Sequence, residues 1–241
     1  MTAIASKKSR IAVGLINMSG YTRSYRISAP TEMLDTTVLT DENKTSIPGA
    51  TSGGGFDIDM LLDNSTTANG QFDVLTDWTG ASAYPITLAP AGFTTGLTAI
   101  LINGLQTDLT TDAAHGAVVA AKATGTATGG TDFGTMVEDF TAITGTGNGT
   151  ARDGGASSSN GGVAHLHVSA YATLTSDTVT IEHSVDGSTS WATLVTFTAV
   201  TGVTSERVVV AAGTTVRRYL RVVDTVVGSG STTRAVAFAR R

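Results

Sequence analysis

The chain has 241 residues, of which 41% are hydrophobic and 15% charged, with 28 Gly and no Cys. That balance excludes an intrinsically disordered chain, and the lack of Cys excludes disulfides, thiolate metal centres and cysteine nucleophiles. The formal net charge of −5 divides unevenly: residues 1–150 carry 14 Asp+Glu against 7 Lys+Arg, and residues 151–241 carry 6 against 8. An acidic first half lacks the cations that grip phosphates, and no run approaches the ~20 apolar residues of a membrane helix. The start, MTAIASKKSR, has no apolar stretch after its charges, so synthesis in the cytoplasm with no membrane partner is expected.

In chain order, strand signals begin at Arg10–Ile16, where Ile11, Val13 and Leu15 alternate. Leu34–Gly55, LDTTVLTDENKTSIPGATSGGG, is a polar, turn-rich loop with one Pro and a Gly triplet, and it runs directly into Phe56–Leu62. There Phe56, Ile58, Met60 and Leu62 share one strand face, which puts Asp57 and Asp59 on the other. The spacing of Phe72, Leu75 and Trp78 or Thr79 predicts a helix over 71–79. Further strands are expected at Leu97–Leu105 and Ala117–Ala123, while Asp108–Ala121 fits either a short helix or a loop followed by a strand.

Gly145–Gly162, GTGNGTARDGGASSSNGG, replaces every periodic pattern with Gly, Ser, Thr and Asn and reads as a flexible linker. It divides the chain into a β domain at 1–144, a linker at 145–162 and a second β domain at 163–241. In the second, Ala164, Leu166, Val168 and Ala170 alternate with His165, His167 and Ser169, and Val179 and Ile181 alternate with Thr178, Thr180 and Glu182. Asp186-Gly187 marks a hairpin into Trp191–Val200. Strands at Arg207–Val210, Arg217–Val223 and Thr233–Phe238 complete about six short strands of an Ig-like antiparallel sandwich.

The constellations that could carry chemistry are few. His165, His167 and His183 could converge on zinc, but spacing supplies no fourth ligand and a solvated or interface face is expected instead. SVDGSTSW, Ser184–Trp191, is similar to the Asp-box hairpin but has Ser188 where a Gly belongs, so Asp-Gly is read as the turn and Trp191 as a core residue. Arg217, Tyr219 and Arg221 fall on one strand face and form a conceivable polyanion or stacking patch. The Gly-rich runs lack the spacing of phosphate-cradling loops, and no nucleophile elbow or metalloprotease motif occurs. No catalytic residue, metal or cofactor is therefore assigned, and no enzyme activity is expected.

The pattern Asp-Thr-Thr-x-x-x-x-(Asp/Glu)-Asn-Lys-Thr-x-Ile-Pro-Gly ahead of a strand, Asp35–Gly49, resembles the tail tube (major tail) proteins of long, non-contractile-tailed bacteriophages, and the similarity extends over Arg10 to about Phe140. The resemblance implies a mainly β fold: a tail-tube-like sandwich or barrel with one helix, followed here by an appended carboxy-terminal sandwich. It implies a structural virion protein whose partners are further copies of itself, other tail proteins and phage DNA that passes without specific binding. Hexameric rings would stack through a long loop, here carrying Asp41, Asn43, Lys44, Ile47 and Pro48. An acidic lumen would let DNA slide, with Asp57 and Asp59 as the lumen-facing candidates. Two other readings stay open: a capsid decoration or head-to-tail connector protein, and a sugar-binding sandwich with Trp191, Tyr171 and Tyr219 lining one face.

Overall fold

The computed structural model describes residues 6–40, 42–51, 53–63, 70–78 and 83–241. Its strands are β1 (Arg10–Val13), β2 (Ile16–Asn17), β3 (Thr22–Ser28), β4 (Thr31–Asp35), β5 (Ser46–Thr51), β6 (Gly55–Leu61), β7 (Tyr84–Ala89), β8 (Thr98–Asp112), β9 (Ala120–Ile143), β10 (Gly147–Asn148), β11 (Arg152–Asp153), β12 (Gly162–Ser184), β13 (Ala192–Thr196), β14 (Thr204–Val210) and β15 (Tyr219–Arg240). A single α-helix among the described residues, α1 (Gln71–Trp78), lies between β6 and β7. The fold is mainly β and antiparallel throughout.

The first lobe is built from β1–β3, β6–β8 and the first part of β9. Phe56, Ile58 and Met60 point inward from β6 as their alternation requires, and meet Ile11, Val13, Met18, Ile86 and Leu88. The helix closes this core with Val74, Leu75 and Trp78, while Phe72, expected on the buried face, is 47% exposed. Trp78 stacks flat on Phe56 at 5.2 Å between ring centroids and donates its indole N–H to the Gly104 carbonyl at 2.9 Å. That stack needs two glycines: a Cβ at Gly104 would come within 2.9 Å of the Phe56 ring, and one at Gly125 within 2.4 Å. The ambiguous stretch after residue 108 resolves as strand, turn and strand, with β8 running to Asp112 and β9 starting at Ala120.

The second lobe departs from the expected six short strands. Its centre is one long hairpin, β12 paired with β15 from Gly162↔Arg240 to Ser184↔Tyr219. A straight strand rising about 3.3 Å per residue would hold Tyr219 and Arg240 about 70 Å apart. Yet the Arg240 guanidinium donates to the carbonyls of Arg217 and Arg218, both at 2.8 Å. The hairpin is therefore folded back on itself. The bend coincides with register shifts between Val168 and Ser176, and with left-handed backbone at Thr173 (φ 55) and Gly228 (φ 93). Its two halves make the two layers of a sandwich: β14, β12 and β15 continue into β9 on one side, and β13, β12 and β15 continue into β10 and β11 on the other. Leu166, Val168, Val179, Ile181, Val222 and Phe238 fill the space between.

The stretch expected as a flexible linker is paired along β15 instead. Gly147↔Asp224, Arg152↔Leu220 and the Ser158↔Val216 bridge tie it to the sandwich, since Gly and Ser leave the backbone free to follow an edge that still has hydrogen bonds to give. The lobes also share a sheet, because β9 pairs with β6 and β8 early and with β15 late. A seam of small and aliphatic residues, Ala89, Ala99, Leu101, Met136, Val163, Ala235, Ala237 and Ala239, packs between them.

Candidate functional site

The feature that stands apart from both cores is the arm formed by β4 and β5, a two-stranded sheet that hydrogen-bonds to no other strand among the described residues. Its connecting turn is held by threonines and Asp35: the Thr37 N–H donates to Asp35 Oδ1 at 2.9 Å, Thr36 N–H to the Thr45 carbonyl at 3.0 Å, and Thr45 N–H to Thr37 Oγ1 at 3.0 Å. The bonds from Thr37, with Lys44 3.3 Å away, hold the Asp35 carboxyl below its usual range. The arm nevertheless presents Met33, Leu34, Val38, Leu39 and Ile47 to solvent, with Leu39 fully exposed. An ordered arm with five large apolar side chains in water is unfavourable for an isolated molecule and favourable for one that docks.

Of the residues proposed for a contact loop, Asn43 and Lys44 are exposed in the turn and Ile47 lies on β5. Pro48 pairs through its backbone position with Met33, and Asp41 lies outside the described residues. Glycine triplet and proline alone suggested an irregular loop. The missed signal was the pair of apolar clusters, Met33-Leu34 and Ile47, that flank the turn at hairpin spacing.

Asp57 and Asp59 stand on the face of β6 turned away from the core, as alternation predicts. Neither is a free charge. Asp57 pairs with Lys122 at 3.2 Å, and Asp59 accepts a hydrogen bond from Ser24 at 2.6 Å. The surrounding sheet face, β3–β6–β9–β8, adds Asp108 and Asp112 but also Arg23, Arg26 and Lys122, so its four carboxylates meet three cations. The outer edge of β3 pairs with no strand among the described residues.

On the second lobe the guanidiniums of Arg217 and Arg221 both reach the Ser190–Trp191 turn and are already engaged, while the cation over Tyr219 is Arg218, 5.1 Å from the ring centroid. Arg217 donates to the Ser190 carbonyl at 2.9 Å, and Arg221 makes two bonds to Glu182 at 2.9 and 2.7 Å. The Arg221 guanidinium covers the Trp191 ring at 4.2 Å, so Trp191 is a half-buried surface residue stacked under a cation rather than a core residue. Tyr171 sits at the bend of β12 opposite Thr232, whereas Tyr219 pairs with Ser184 at that strand's end, so the three aromatics expected to line one sugar-binding face do not share one. In the hairpin turn, Asp186 accepts from the N–H groups of Ser188 and Thr189 and the hydroxyls of Thr189 and Ser184, which holds its carboxyl far below the usual range, and Gly187 (φ 73) supplies the left-handed position.

The three histidines do not converge, and two stand on the face alternation gives them but out of solvent. His165 and His167, expected on a wet or interface face, are 0% and 1% exposed, because β7 and the turn after β1 cover the second face of β12. His183 sits at the far end of that strand and accepts the Arg217 N–H at 3.3 Å. Among the described residues no cluster of His, Asp and Glu is placed to hold a metal ion.

Sequence patterning also missed a buried charge cluster where the long hairpin bends. Arg234, 0% exposed, pairs with Glu138 and Asp224, and Asp177 lies 3.6 Å from its Nε and accepts the Thr232 hydroxyl at 2.9 Å. One guanidinium thus faces three carboxylates. Burial pushes Glu138 up, and pushes Asp224 up to about 6, against the opposing pull of Arg234.

No protein-family model matches the chain, and no curated protein sequence matches it. Among solved structures, the fold is similar to that of a protein in the virion of a native gene transfer agent particle (TM-score 0.44, 15% identity, 54% of this chain and 98% of that one). It is also similar to the SPP1 Dit protein, described as a paradigm of the hub adsorption apparatus in Gram-positive-infecting phages (0.41, 10%, 96% and 98%), and to a chain of the phage P2 baseplate in its activated conformation (0.39, 10%, 97% and 98%). These are distant likenesses of backbone path and carry no argument about role.

Proposed function

We propose that this chain is a structural subunit of a phage tail tube that assembles into stacked, six-membered rings around a DNA-conducting channel. The observation that carries this reading is the β4–β5 arm, ordered by its own hydrogen bonds yet displaying Met33, Leu34, Val38, Leu39 and Ile47 in water. A second copy is the natural acceptor, because a head-to-tail contact that closes gives a ring and one that repeats along an axis gives a tube. The open edge of β3 supports the same reading, since joining sheets between subunits removes an edge that would otherwise template aggregation. Residues 31–51 then stack rings, and Asp57 and Asp59 face the lumen. In that position Lys122, paired with Asp57, and Arg23 and Arg26 on the same face temper the acidity, so the wall repels DNA weakly. The second unit, 163–241, is an accessory lobe on the outside, and the site of action is the virion tail, in company with other tail proteins.

Negative-stain electron microscopy and light scattering across a concentration series test this directly. The expected result is hollow tubes or stacked rings of uniform width, lost to single rings or monomers in Leu39→Asp. A monomer or trimer at every concentration, with or without an added tail-tip nucleus, would sink the tube reading in favour of a decoration or connector role.

A further inference from the structure

Where the lobes meet, Thr87 of β7 stands between two imidazoles of β12. Its Oγ1 lies 2.8 Å from His167 Nε2 and 3.1 Å from His165 Nδ1, and His167 Nδ1 lies 2.6 Å from the Gly14 carbonyl. The proton positions follow by elimination. A carbonyl only accepts, so His167 Nδ1 carries a proton and donates to Gly14. Its Nε2 is then a lone pair that takes the Thr87 hydroxyl proton, and Thr87 Oγ1 is left to accept from His165 Nδ1. His165 Nε2 remains a bare lone pair, buried, with no hydrogen-bond partner. Both rings are therefore neutral, and the relay runs His165, Thr87, His167, Gly14 from the second lobe into the first and back.

An added proton finds no counter-charge in this relay. On His165 the acceptor at hand is the neutral Ile86 carbonyl. On His167 Nε2 it would make Thr87 accept from both rings at once and take away the lone pair to which the Thr87 hydroxyl donates. The surroundings offer no counter-charge: β7, from Tyr84 to Ala89, carries no ionic group, the turn after β1 supplies only a backbone carbonyl, and β15 places Ala235 and Ala237 opposite the two histidines. On β14, Arg207 stands beside His165, and Glu206 is bonded to the Thr198 N–H at 2.8 Å. On β9, Asp132 lies 3.8 Å from Arg207 and is held by Arg241 at 2.7 Å.

We propose that the His165–Thr87–His167–Gly14 relay is an acid-released latch: protonation of the histidine pair in mild acid opens the contact of β7 and the β1 turn with β12, while each lobe keeps its own core. Burial holds His167 down at about 4 and His165 well below its usual value, with the fields of His167 and Arg207 adding to the latter. A histidine that is at about 4 when the latch is closed and near 6.5 when it is open makes the opening constant rise about thirtyfold between pH 7.5 and pH 5. The latch does not depend on the tail-tube reading, because the relay lies within one chain.

Hydroxyl-radical footprinting of the purified full chain at pH 7.5 and pH 5, corrected for intrinsic side-chain reactivity, reads it out, because the latch covers side chains while the amides of β7 and β12 are bonded within their own lobes. The expected result is a loss of side-chain protection of at least tenfold in 84–89 and 162–168 that leaves β6 and β13 unchanged. In His165→Phe with His167→Phe that pH dependence should disappear. Protection at the seam that does not change with pH in the wild-type chain overturns the proposal, and so does a loss that spreads equally to β6 and β13. Because the wild-type profile alone separates these outcomes, a double variant that fails to fold does not blunt the test.

Discussion

The two lobes solve the same packing problem in opposite ways. The first keeps charge out of its interior: its core is Phe56, Trp78, two methionines and aliphatic side chains, and the buried polar groups at its margin, such as the Trp78 indole and Gln71, bond to backbone. The second buries Arg234 beside Glu138, Asp177 and Asp224 at the bend of its long hairpin. Three strand segments must turn together there, and a guanidinium that donates in several directions within one plane fixes their mutual positions in a way that interchangeable valines cannot. The contrast teaches that the first lobe is held by shape and the second by shape plus a charge constraint, so the two should respond differently to mutation and to acid.

Removing the guanidinium should produce the largest effect. Arg234→Met leaves three buried carboxylates without a cation, and a loss of about 3–5 kcal/mol is expected in denaturant titration at pH 7. Recovery of part of that loss at pH 5, where the orphaned carboxylates take up protons, would sharpen the contrast, whereas a loss below about 1 kcal/mol would break it.

Asp224 comes next, and its sign is opposite to that of the histidines. Its folded value, near 6, lies above that of an unfolded Asp, so the folded state holds the extra proton and this group's contribution is fully present below about pH 4. That contribution, up to about 3 kcal/mol, is lost as pH rises toward 6. Asp224→Asn should flatten the stability profile between pH 4 and pH 6; an unchanged slope would mean that Arg234 compensates the carboxylate fully. The smallest effect belongs to the first lobe. Trp78→Phe keeps the stack on Phe56 but strands the Gly104 carbonyl, at a cost of about 1–3 kcal/mol in thermal or denaturant unfolding, independent of pH between 5 and 8.

Much of the first lobe was legible in the sequence, because its strands have one buried and one wet face and α1 starts where the spacing of apolar residues places it. The outward direction of Asp57 and Asp59 follows from the same alternation. The second lobe was less legible for a physical reason: bulges near Ala170 and Leu174 reset the alternation, so one 23-residue strand reads as two short ones. His165 and His167 were misplaced because period-two reasoning assumes a solvated face, and both faces of β12 are covered from Gly162 to Val168. The absence of any charged residue from Gly161 to Ser176 is the hint that could have revealed this. Arg234 looked like one more surface arginine, since its three carboxylates are contributed by positions 138, 177 and 224 and meet only in space.

The long hairpin also sets an order of events. β15 is bonded to β9, β10, β11 and β12, with partners such as Phe238 and Thr135 lying 103 positions apart, so neither layer of the second lobe can close before residues 219–240 have been made. Pairings of such sequence separation are slow to form. The emerging chain therefore waits, with its first lobe able to mature early and β15 acting as a zipper that closes the second.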